Sequence, residues 1–105
     1  MSIFDFPEPL AFEWDKGNKE KIWGKHKISA EECEEAIRVD KIFIQPDGAH
    51  SSKEMRFICI SQTKDFKFLF IVFTIRNNLV RIISARNMHK KEQQFYEKKI
   101  NLTKI

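Results

Sequence analysis

The side chains best equipped to act on a phosphate or an acidic partner are Lys25, His26, His50, Lys53, Arg56, Arg76, Arg81, Arg86, His89, Lys90 and Lys91. Arginine offers a planar fork that can grip two phosphate oxygens at once, whereas lysine supplies a movable point charge. Arg81 stands out because its neighbours Leu79, Val80, Ile82 and Ile83 are apolar. In an extended chain it shares one face with Ile83 and Ala85, while Val80, Ile82 and Ser84 take the other. An arginine in that setting either pairs with a carboxylate such as Glu92 or reaches a ligand. Strict alternation puts Arg86 on the face opposite Arg81, so the two share a cleft only if the strand bends or twists. His26 follows Lys25 at the end of a charged segment, where an imidazole can shuttle protons near neutral pH or simply cap helix carbonyls. Lys90, Lys91, Lys98 and Lys99 read as a solvated face.

Other chemistries find little support. His26, His50 and His89 lack ligand spacing and neither Cys33 nor Cys59 has a near thiol neighbour, so no metal centre and no cofactor are expected. Phosphate-cradling glycine loops and a GxSxG nucleophile are absent from the sequence. Cys59 falls in an apolar strand and Cys33 in a polar helix-like run, which predicts two free thiols in a reducing compartment. No apolar run approaches a membrane span. The amino terminus, with Asp5 and Glu8, lacks the basic start and long apolar middle of a signal peptide, so a cytoplasmic location with no membrane partner is expected.

The elements that must position these groups follow from capping and periodicity. Residues 1–11, with Pro7 and Pro9, form an irregular lead-in, and Ala11 to Trp14 a very short strand. Asp15 is a natural N-cap for a first helix reaching His26, with Ile22 and Trp23 as its buried anchors and Gly17 and Gly24 weakening its ends. Ser29 and Glu32 have capping-box spacing. Ala30, Cys33, Ala36 and Ile37 then make one apolar face of a second helix. Ile42 to Ile44 suggest a brief strand and residues 45–55 a loop. Residues 56–63, 66–75 and 79–85 read as three stronger strands. The first pair is joined through Lys64 and Asp65 without the usual glycine, the second through Asn77 and Asn78, which tolerate positive φ. The near-continuous apolar run of 68–75 suits a central strand covered on both faces. A last helix over 88–98 sets Met88, Phe95, the Lys91 stem and Tyr96 against the sheet, leaving the tail from 100 unassigned. Tyr96, four residues after Glu92, completes the core with its ring.

At 105 residues, with ten phenylalanines, the chain suits one hydrophobic core. The expected architecture is α+β: two amino-terminal helices, a twisted antiparallel sheet and a carboxy-terminal helix. A formal charge of +4 draws it toward phosphate-rich or acidic partners without naming one.

Three stretches resemble the BrnT family of type II toxin–antitoxin toxins, small ribonucleases with a RelE-like fold. The first is Phe12-Glu13-Trp14-Asp15, followed by Lys25-His26, Ile28-Ser29 and the glutamate-rich helix to Ala36. The second is Arg56-Phe57, preceded by His50 and Glu54. The third runs from Arg81 through Ile82, Ile83, Ser84 and Ala85 to Arg86, followed by Glu92 and Tyr96. Lys27 stands where relatives often have glycine, Ile22 replaces a common asparagine, and Met55 interrupts a frequent acidic pair.

The resemblance implies a metal-independent endoribonuclease cleaving by attack of the RNA 2′-hydroxyl on the neighbouring phosphorus. It implies neutralisation by a ribbon-helix-helix antitoxin encoded nearby, with operator DNA contacted only through that antitoxin. On this chain it points to Lys25, His26, Arg56, Arg81 and Arg86 as catalytic, His26 being the acid or base and the arginines stabilising charge. Lys53, Glu54, Arg76, Glu92 and Tyr96 are supporting or substrate-binding candidates. The alternative is a noncatalytic domain that binds nucleic acid or protein, a degenerate toxin.

Overall fold

The computed structural model describes residues 4–39, 41–48 and 54–103, so His50 and Lys53 lie outside the described residues. In chain order come β1 (Phe12–Glu13), α1 (Lys16–His26), α2 (Ala30–Arg38), β2 (Phe43–Pro46), β3 (Phe57–Gln62), β4 (Phe68–Arg76), β5 (Leu79–Asn87) and α3 (Lys90–Thr103). The strands form a five-stranded sheet in the order β1-β5-β4-β3-β2, with β4 at its centre. Its chain-order hairpins are antiparallel, but β1 joins the outer edge of β5 in parallel, making the sheet mixed. Nearly the whole domain separates β1 from β5, so no tight turn dictates their relative direction. This α+β arrangement agrees with the RelE-like expectation.

The helices start and stop where local chemistry requires. Asp15 accepts from the backbone N–H of Gly17 and Asn18 to open α1. Lys27 closes it in the left-handed region at φ 56°, which explains why glycine suits that position. In α2 both halves of the Ser29–Glu32 capping box form, and Ala30, Cys33, Ala36 and Ile37 are all buried. Asn77 and Asn78 both take positive φ in the β4–β5 turn. The glycine-free β3–β4 connection places Phe66 at φ 65°, a strained backbone for a side chain that is 76% exposed.

One sheet face makes the core. Cys59 and Ser61 of β3, Leu69, Ile71 and Phe73 of β4, and Val80 and Ile82 of β5 are wholly buried there, against Ile22, Ile28 and the apolar stripe of α2. The Ser61 hydroxyl donates to the Ala36 carbonyl across this layer. Burial among the helices pushes the Cys33 thiol up to about 12, and that of Cys59 higher still. Both cysteines are free.

The second face differs from the expected full cover. Its residues Ile58, Ile60, Phe68, Phe70 and Val72 are only half-buried, so β4 alternates in burial from Phe68 to Phe73 although its sequence does not. Tyr96 of α3 covers one end of this face, its ring edge-on to Phe43 and Phe68 and its hydroxyl donating to the Lys41 carbonyl.

Two aromatic anchors turn outward. Trp23 is 52% exposed and Phe95 51% exposed, while the adjacent Ile22 and Tyr96 are buried. Successive helical residues point about 100° apart, so a narrow stripe can bury only one of each pair. No helix among the described residues is long and apolar enough to cross a membrane.

Candidate active site

The decisive local feature is a register shift in the β4–β5 ladder. Val72 pairs with Ser84 and Phe73 with Ile82, leaving Ile83 as an extra residue on β5. A bulge of this kind reverses the inside–outside alternation beyond it. Arg81 sits opposite Thr74 and Arg86 opposite Phe70, and Phe70 and Thr74, four apart on β4, share a face. Arg81 and Arg86 therefore lie on the same, second face of the sheet, contrary to the strict alternation that separates them in sequence. Arg76, at the end of β4, belongs to that face, and extending β3 back by one residue aims Arg56 the same way.

At the end of the sheet where β4 finishes and β5 begins, charges are interleaved. Arg76 donates to Glu54 at 2.8 Å. That hydrogen bond, with the Arg76, Arg56 and Arg81 charges nearby, holds the Glu54 carboxyl below its usual range despite some opposing desolvation. The Thr74 hydroxyl donates to the Met55 carbonyl, tying the segment before β3 to β4. Arg81 faces Glu13 across the β1–β5 pairing and reaches Asp15 as well, at 3.5 Å in each case. These contacts are longer than the 2.7–2.9 Å typical of a charge-assisted hydrogen bond, so the guanidinium is shared loosely between two carboxylates.

Arg86 is held differently. It makes two parallel contacts of 2.9 Å with Glu92, donates to the Asn87 carbonyl and stacks on the Phe70 ring at 3.9 Å. Glu92 also accepts from the His89 backbone N–H at the start of α3. The Arg86 hydrogen bond is the main reason its carboxyl is held low, with the His89 N–H adding to it. The carboxylate expected to pair with Arg81 thus belongs to Arg86, and Arg81 takes Glu13 and Asp15 instead.

Lys25 and His26 occupy the carboxy-terminal end of α1, in the helical layer that covers the core face. Asp15, which meets Arg81, caps the other end of this 11-residue helix. At 1.5 Å per residue that is about 16 Å away, too far for one phosphate to touch both. The structure so gathers Arg56, Arg76, Arg81 and Glu54, sets Arg86 with Glu92 farther along the same face, buries Tyr96 over the other end of that face, and leaves Lys25 and His26 apart. Glu13 and Asp15 as partners of Arg81 were invisible in the sequence, since 66 residues separate Asp15 from Arg81. Among the described residues no group of His, Cys, Asp and Glu is arranged to hold a metal ion.

A family model described as the ribonuclease toxin, BrnT, of type II toxin-antitoxin systems matches residues 14–92. No curated protein matches the chain.

Proposed function

Because the chain belongs to the BrnT family of type II toxin–antitoxin toxins, we propose that it is an endoribonuclease whose reacting phosphate binds on the second sheet face among Arg56, Arg76 and Arg81. The observation that carries this reading is the Ile83 bulge, which turns the arginines of β5 onto the face that already bears Arg76. The RNA 2′-hydroxyl attacks the adjacent phosphorus, the 5′-oxygen leaves, and a 2′,3′-cyclic phosphate forms. Negative charge grows on the equatorial oxygens, and guanidinium groups already in place stabilise it without reorganisation. Arg81 suits this best, because its loose hold on Glu13 and Asp15 lets a phosphate replace them.

Glu54, a carboxylate among the three arginines, takes the proton of the 2′-hydroxyl, and the departing 5′-oxygen takes one from solvent water to become a hydroxyl. Arg86 fixes α3 farther along the same face. Lys25 and His26 enter only where RNA passes round the β1–β5 edge to the helical layer. A ribbon-helix-helix antitoxin, encoded beside the toxin and carrying any operator contact, completes the system.

The test is cleavage of a defined RNA by purified chain, free of antitoxin and in the presence of a chelator. Arg81→Ala should lower the rate by about 100- to 1000-fold, the usual loss of one transition-state donor. Paired variants separate the two candidates for proton transfer. A Glu54 base gives a rate that falls only in acid and is lost in Glu54→Gln, whereas full activity of Glu54→Gln beside a large loss in His26→Ala assigns the proton to His26. Salt-dependent RNA binding with no cleavage under any condition would leave a noncatalytic domain.

A further inference from the structure

We propose that the outward face of α3 is a binding track for single-stranded RNA flanking the cleaved linkage, with Phe95 as the platform on which a base stacks. This rests on the ribonuclease reading above for the identity of the ligand, but not on any catalytic residue. The helix is fixed by Tyr96, which is 2% exposed and turned inward, and by the Arg86–Glu92 pair at its first turn. With those positions facing the protein, the helical repeat turns Lys91, Phe95 and Lys98 to one outer side, Lys99 falls in line with Glu92 at the border of that side, and all four are exposed.

The charge on that arc is of one sign. Glu92 is engaged by Arg86, and Glu97 lies round the helix from Lys98 and Phe95. Phe95 is 51% exposed, and the Lys99 ammonium stands 5.4 Å from its ring centre. An aromatic face among lysines, with no carboxylate in the arc, matches the stacking-plus-backbone recognition of single strands. A solvated lysine face alone would not require a large apolar ring held in water. From Lys91 to Lys99 the track extends about 12 Å. Its first turn adjoins Arg86, so it continues the arginine face instead of forming a separate patch.

The experiment measures binding of the full chain to a fluorescent 2′-O-methyl oligonucleotide, which lacks the attacking hydroxyl and isolates affinity from cleavage. Phe95→Ala should weaken binding by about 5- to 150-fold, the worth of one stacked base, with Phe95→Trp restoring it. Lys91→Ala with Lys98→Ala should reduce the salt slope of log K by about 0.7 per lysine, whereas Phe95→Ala should leave the slope unchanged. Affinity within twofold of the parent for Phe95→Ala, or no oligonucleotide binding by the parent chain, overturns the track. Unchanged RNA affinity with lost capture of the antitoxin overturns it too, and gives the surface to a protein. Cleavage of unmodified RNA is scored separately. Its absence beside Phe95-dependent binding defeats the ribonuclease reading and leaves the track standing.

Discussion

Arg81 and Arg86 share a strand and a face but should fail in opposite ways when removed. Arg86→Ala deletes a two-contact pair with Glu92 whose side chains are 29% and 27% exposed, together with the stack on Phe70. A partly buried bidentate pair contributes about 1 to 1.5 kcal/mol, and a cation over an aromatic ring about 0.5 to 1. A loss of about 2 kcal/mol follows. With an unfolding entropy of about 2.1 cal/mol/K per residue, that lowers the Tm of this chain by roughly 9 °C. Arg81→Ala gives up only two 3.5 Å contacts with Glu13 and Asp15, worth less than about 0.5 kcal/mol, and should barely move the Tm while removing cleavage.

The assay is thermal unfolding by circular dichroism alongside RNA cleavage. A cycle with Glu92→Ala should give about 1 kcal/mol of coupling to Arg86. Glu92→Ala alone should cost more than the pair, because the His89 N–H at the start of α3 also loses its acceptor. Equal Tm losses for the two arginines, or Arg86→Ala abolishing cleavage at an unchanged Tm, would refute the division of labour.

Phe66→Gly should raise stability by about 0.5 to 1 kcal/mol in urea titration, since it relieves a left-handed backbone and sacrifices a side chain that packs little, offset in part by glycine's freer unfolded state. Ser29→Ala should cost about 1 kcal/mol in the same titration, because the Glu32 N–H loses its capping oxygen. Acid should loosen α3: the Arg86 bond holds the Glu92 carboxyl below its unfolded value, so its stabilisation is present above about pH 4.3 and drains as pH falls through the lower folded value. Melting curves from pH 6 to 2 should show a decline that Glu92→Gln flattens.

Much of the scaffold was legible locally. Asp15 and the Ser29–Glu32 pair announced the two helix starts, and Ala30, Cys33, Ala36 and Ile37 the buried stripe of the second, because caps and helical spacing act within a few residues. The Asn77–Asn78 turn followed from the tolerance of asparagine for positive φ. Misplacements came where neighbours compete for one stripe: Trp23 and Phe95 are apolar enough to be buried, yet Ile22 and Tyr96 occupy the inward positions.

The amino-acid order by itself determined the α+β character, the central position of the 68–76 strand and the supply of cations around it. It could not determine which cations meet. Alternation along β5 separates Arg81 from Arg86, and only pairing with β4 reveals that Ile83 is extruded and the two share a face. The choice of Glu13 and Asp15 for Arg81 likewise waited on β1 docking in parallel beside β5, and that of Glu92 for Arg86 on where the first turn of α3 comes to lie. Capping and turn chemistry are short-range and written in adjacent residues. Register, sheet order and ion-pair choice are minimised over the whole packed chain, so the grouping of charge on one face is a property of the tertiary structure.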